Sequence, residues 1–144
     1  MSDLLKVFDA SFKRVTEAPG LIFREDFYEK FYMNFLSVSE EVRKKFSHTD
    51  FGRQRRMLHD SLSIVKQFYL SHEITPELTA ITVTHNKGHH DVGPNLYDLW
   101  LEAIIKTVRE IDPEFNSEVE LAWRIVLAPG ITYMKFIYLQ KNGV

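Results

Sequence analysis

The sequence predicts an all-α fold of about seven helices in one domain. Three observations carry this. Apolar residues recur at helical spacing in one segment after another, and no segment sustains the two-residue alternation of a half-buried strand. Caps and breakers, among them Pro19-Gly20, Thr75-Pro76, Gly93-Pro94 and Asp112-Pro113, cut the chain into helix-length pieces. Several connections are too long for a simple up-down bundle, which predicts helices crossing at steep angles. The 144 residues suit one domain with a substantial core.

The elements follow in order. Ser2 and Asp3 can cap a first helix to about Glu17, with Leu4, Val7, Phe8, Phe12 and Val15 inward, and Pro19-Gly20 ends it. A second helix spans about Arg24 to Leu36; Phe27, Phe31 and Phe35 recur on one stripe, flanked by Tyr28 and Tyr32. Ser39 caps a short helix, SEEVRKKF, that brings Phe46 to a corner, and SHTDFG reads as a loop. A long helix runs from about Arg53 to Leu70 with Gln54, Leu58, Leu62, Val65 and Tyr69 on one face. Thr75 caps the next helix and Pro76 suits its first turn; Gly93-Pro94 opens another, to about Ile111, striped by Tyr97, Trp100 or Leu101, Ile104 and Val108. Ser117 with Glu120 forms a capping box for a last helix to about Leu139, where Pro129 should introduce a kink.

Composition narrows the function. The net charge of -2 gives no electrostatic case for nucleic acid, and no apolar run approaches the ~20 residues of a membrane span. Without cysteine there are no disulfides, zinc-thiolate sites, iron-sulfur clusters or thioether-linked prosthetic groups. The N-terminal stretch lacks a signal-peptide core, which points to the cytoplasm.

The most informative stretch runs from Leu78 to Tyr97. Leu78, Ile81, Thr82 and His85 share one helical face, and the segment after them holds His89, His90 and two glycines. A histidine ending an apolar stripe is either a hydrogen-bonded core imidazole or a metal ligand presented into an apolar cavity. The repeated Phe residues by themselves fit an ordinary core equally well.

Four motifs taken together resemble the globins, specifically bacterial single-domain globins akin to the haem domain of flavohaemoglobins. They are FYMNFLSVSEEVRKKF, GRQRRMLHDSL, ITVTHNKGHHDVGPNLYDLW and ELAWRIVLAPGITYMKFIY, which span most of the stretch from Phe23 to Tyr138. The resemblance implies a globin fold packed around a haem pocket, with haem b (iron protoporphyrin IX) as cofactor. It makes His85 the proximal iron ligand and Tyr97 the proximal tyrosine. Phe46 packs on the haem face, and Leu58, Val92 and Trp100 line the pocket. Tyr32 and Gln54 become distal hydrogen-bond donors beside a bound gas, with Leu58 next to them. Bound oxygen carries partial negative charge, so two donors predict slow release.

The expected ligands are oxygen, nitric oxide and carbon monoxide, in a monomer or homodimer. Two other activities stay open: nitric oxide dioxygenase or weak peroxidase, and a haem-based gas sensor. The sequence shows no flavin or nicotinamide domain, so dioxygenase turnover would call on a separate reductase. The resemblance has one departure. Flavohaemoglobins place a carboxylate on the last helix near the proximal histidine, whereas that position falls at or near Tyr138, which is not an anion at neutral pH. Of the remaining candidates, His89 and His90 read as alternative ligands or propionate partners, more simply as solvated residues. His59 reads as peripheral, since it is turned by about 100° from Leu58. Arg53, Arg55 and Arg56 form a solvated face from which one guanidinium could reach a propionate.

Overall fold

Seven helices form in the computed structural model, which describes residues 3–17, 24–85 and 90–143, with the side chains of 141–143 set aside. They are α1 (Asp3–Thr16), α2 (Glu25–Leu36), α3 (Glu40–Lys45), α4 (Phe51–Ser71), α5 (Pro76–His85), α6 (Pro94–Ile111) and α7 (Ser117–Gly143). The described residues contain no strand. The Ser2 cap, the Pro19-Gly20 break, Phe23 and His89 lie outside the described residues. Among those residues, no helix is long and apolar enough to cross a membrane.

Local chemistry sets most helix starts. Ser39 Oγ accepts the Val42 N–H at 3.1 Å to open α3, and Thr75 Oγ1 accepts the Leu78 N–H at 3.1 Å to open α5. Gly93 precedes Pro94 at the start of α6, where a missing N–H costs nothing. Two starts differ from the sequence reading. Helix α4 begins at Phe51, inside the segment read as a loop, because the Asp50 carboxylate accepts the Arg53 N–H at 3.3 Å. Helix α7 is capped by Asn116, whose Oδ1 accepts the Val119 N–H at 2.9 Å, and the Ser117–Glu120 box is replaced by it. The Glu120 carboxylate instead receives Arg124 and Arg109. Helix α7 also runs unbroken through Pro129 and extends beyond Leu139.

The core lies where α7 packs on α1 and α4, and where α2 packs on α6. Phe8, Phe27, Tyr28, Phe31, Leu62, Ile104 and Trp123 are fully enclosed there. Tyr28 and Tyr32, which flank the Phe stripe, are also buried, because α2 touches α4 as well as α6. The α4–α7 crossing is close at Gly130, where a side-chain carbon would stand 2.6 Å from Val65 Cγ1. A buried polar chain ties the far end of the molecule. Trp123 Nε1 donates to Ser11 Oγ at 2.9 Å, Ser11 donates to Asp112 at 2.6 Å, and Arg14 binds the same carboxylate at 2.7 and 2.9 Å. Residues of α2, α4 and α5 line one cavity.

Candidate functional site

The cavity measures about 230 Å³ and opens between α2, the α3 corner, α4, α5, α6 and α7. Tyr32, Phe46, Gln54, Leu58, His85, Val92, Tyr97 and Trp100, the eight residues singled out in the sequence, all line it. Phe35, Val65, Ile81, Leu96, Ile131 and Met134 add apolar wall.

His85 closes α5. Its Nδ1 lies 2.8 Å from the Ile81 carbonyl oxygen one turn earlier. A carbonyl only accepts, so Nδ1 carries the proton and Nε2 keeps its lone pair. Burial pushes the imidazole below its ordinary value and nearby His90 adds to this, against the opposing Ile81 bond. The ring is therefore a neutral base. Tyr97 stands beside it with ring centroids 6.4 Å apart, and burial pushes the Tyr97 phenol up.

Tyr32 and Gln54 come from different helices and both line the cavity wall. Burial pushes the Tyr32 phenol up and the nearby Gln54 amide offsets part of that rise, so Tyr32 keeps its proton. Its ring is clamped edge-on by Phe46 at 5.7 Å and Phe51 at 5.4 Å. Phe51 does this because α4 starts early.

The other sequence candidates separate. His90 lines the cavity. Arg55 is turned to Glu25, with Nε 2.8 Å from its carboxylate, so it is not aimed at the cavity. The lining cation is Lys45, which the sequence reading missed; its Nζ donates to the carbonyls of His90 and Asp91 at 3.0 and 2.8 Å. Thr49, Met57, Ser61 and Thr84 were missed as well. The helical period could have flagged Ser61, one turn after Leu58, but its polarity hid it. His59 is absent from the cavity wall, yet it meets Tyr28. Tyr138, which stands where the resemblance expects a carboxylate on the last helix, donates to the Asp91 carboxylate of the segment before α6 at 2.7 Å. No group of three or more histidine, cysteine or carboxylate residues suited to hold a metal occurs among the described residues.

Seven helices and no strand among the described residues, around a cavity lined from several of those helices, make up a globin fold. The chain has that fold. No family model and no curated protein matches the sequence. A crystal structure from Pseudomonas aeruginosa PAO1, described as structurally highly homologous to a human hemoglobin, is similar over 94% of this chain and 98% of its own. The two share 29% identity at a TM-score of 0.84.

Proposed function

We propose that the cavity holds haem b and that the chain is a globin that reversibly binds oxygen, with nitric oxide and carbon monoxide as further ligands. The observation that carries this is a neutral imidazole with its Nδ1 engaged and its Nε2 free, lining the same apolar cavity as a Tyr–Gln donor pair. The description of the Pseudomonas protein as homologous to a human hemoglobin supports it.

The residues fit the group. Haem needs one axial base, apolar walls and few polar atoms. His85 supplies the base, and Leu58, Phe46, Val92, Leu96, Tyr97, Trp100 and Ile131 supply walls. A chain without cysteine would hold it non-covalently. When bound, haem iron provides the coordination position for a diatomic gas. His85 orients its ring through Ile81, so Nε2 is the nitrogen that would hold the iron. Tyr32 and Gln54 line the same cavity and would offer an O–H and an N–H to a ligand with partial negative charge. The Nδ1 proton of His85 goes to a neutral carbonyl, not a carboxylate, which leaves the imidazole a modest electron donor. That favours reversible binding over peroxidase chemistry.

Absorption spectra of the purified or haem-reconstituted protein test the proposal. A Soret band that shifts on reduction and again with oxygen or carbon monoxide, and that is lost or altered in His85→Ala, is the expected result. Absence of a Soret band after reconstitution overturns it.

A further inference from the structure

Two tyrosines one turn apart on α2 both reach across to α4. Tyr32 meets Gln54 at the cavity. Tyr28 is fully buried and absent from the cavity wall, and its hydroxyl lies 2.5 Å from His59 Nδ1. The His59 ring in turn lies stacked against Phe12 of α1 at 6.0 Å and meets the Tyr28 ring edge-on at 5.8 Å. On the same crossing, Arg55 Nε binds the Glu25 carboxylate at 2.8 Å. Tyr28–His59 and Glu25–Arg55 thus join α2 to α4 away from the cavity wall, while Tyr32 and Gln54 both line it.

A phenylalanine would fill the Tyr28 site as well if packing alone were at stake. A buried hydroxyl needs a partner, and α4 supplies one in His59. The Tyr28 phenol keeps its proton, because burial, and then the charges of Asp60 and Glu25, push it up. Its O–H can donate to His59 Nδ1 when that nitrogen carries no proton.

The geometry couples the two pairs. Tyr28 and Tyr32 are fixed to each other by one turn of α2, and Gln54 and His59 by five residues of α4, a rise of about 7.5 Å. Hydrogen bonds weaken steeply once distance or angle departs from the optimum, so a small shift of α2 against α4 would spoil the alignment of Tyr32 and Gln54 toward a shared ligand.

We propose that Tyr28 and His59 are positioning residues: their hydrogen bond sets the spacing of α2 and α4 at which Tyr32 and Gln54 act together as distal donors. This rests on the gas-binding reading above. Removing the contact weakens donation to the ligand without removing either donor.

The test compares Tyr28→Phe, His59→Leu and His59→Gln with Tyr32→Phe and with the double variant Tyr28→Phe/Tyr32→Phe. Oxygen release from the reduced protein, the infrared stretch of bound carbon monoxide, and the Gln54 side-chain amide resonance of the haem-free protein are measured. Tyr28→Phe and His59→Leu should each speed oxygen release roughly three- to tenfold. They should shift the carbon monoxide band and the Gln54 resonance in the direction that Tyr32→Phe does. His59→Gln, which keeps an acceptor, should return all three readings toward the parent. Adding Tyr28→Phe to Tyr32→Phe should change release little further. If Tyr28→Phe lowers only the unfolding temperature and leaves all three readings at the parent value, the inference is wrong. Should Tyr28→Phe not fold, the His59→Leu and His59→Gln pair decides in the same way. A silent Tyr32→Phe overturns the distal assignment itself, and the positioning role with it.

Discussion

Tyr32 on α2 and Gln54 on α4 stand together at the cavity wall, and burial keeps the Tyr32 phenol protonated. The Gln54 amide opposes the rise of the phenol, the sign of an N–H directed at the phenol oxygen, which leaves the Tyr32 O–H to donate elsewhere. A hydrogen bond to a charged partner contributes about 1.5–3 kcal/mol, so Tyr32→Phe should speed oxygen release about ten- to hundredfold. Gln54→Leu should have a smaller effect of the same sign, and the double variant should fall short of the product because the two groups share one interaction. With the phenol pushed up from its ordinary value of 10.0, Tyr32 stays a donor at neutral and mildly alkaline pH, so its contribution should be flat there. Stopped-flow release kinetics across that range check both statements; a contribution that falls away near neutral pH would contradict the assignment.

Val65 and Gly130 mark the closest approach of α4 and α7. Replacing glycine by alanine within a helix gains about 1 kcal/mol from propensity. Here the added carbon would stand 2.6 Å from Val65 Cγ1, on a short β-branched side chain that cannot swing aside. Overpacking of this kind costs about 1–3 kcal/mol, so the clash should win and Gly130→Ala should destabilise the protein. Urea unfolding at neutral pH gives the value. In the double variant Val65→Ala/Gly130→Ala the loss should be smaller than the sum of the single losses, since the missing methyl groups make room.

Helical periodicity made the α-class and the order of seven helices legible, because each helix buries a face and its apolar residues must return on that face. The buried stripes Phe27, Phe31, Phe35 and Leu58, Leu62, Val65 show this directly. The residues of the cavity were legible for another reason: the four motifs that hold most of them resemble those of globins. Boundaries were harder. Asn116 and Ser117 are adjacent, equally good caps, and only the Val119 N–H in three dimensions chooses between them. Asp50 was hidden the same way, by Arg53 and a glycine that masked a helix start. Contacts between distant segments were not legible at all. Nothing in the local pattern pairs Tyr28 with His59, or Lys45 with the carbonyls before α6, since each pairing is set by how whole helices cross.

Lys45 joins the end of α3 to the segment that follows the described part of α5, and the Val92 N–H returns to the His85 carbonyl at 2.8 Å. The ammonium satisfies two carbonyls on an exposed turn in which Asp91 adopts a left-handed φ of 52°. Lys45→Met keeps the side-chain length and removes the donors. We expect faster amide exchange at Val92, by roughly three- to tenfold, with exchange in the middle of α6 unchanged. Equal rates at Val92 in both proteins would show that Lys45 does not hold the turn.

Asp112 ends α6 and accepts hydrogen bonds from Ser11 and Arg14 of α1, while Trp123 of α7 reaches it through Ser11. Burial alone would raise its carboxyl, but the bonds from Arg14 and Ser11 outweigh burial and hold it below the ordinary value of 3.8. The sign of the pH effect follows. A carboxyl whose folded value is depressed binds protons more weakly in the folded chain, so its contribution is present above 3.8 and is lost as pH falls through the folded value. Asp112→Asn keeps the shape, removes the charge and leaves Arg14 with a weaker partner. At neutral pH it should cost about 2–4 kcal/mol of unfolding free energy. The gap between parent and variant should narrow as pH is lowered below 3.8, because the parent then loses the same charge. Urea titrations of both proteins from neutral pH into that acid range measure the gap. A gap that stays constant would mean that Asp112 contributes through its shape and not through its charge.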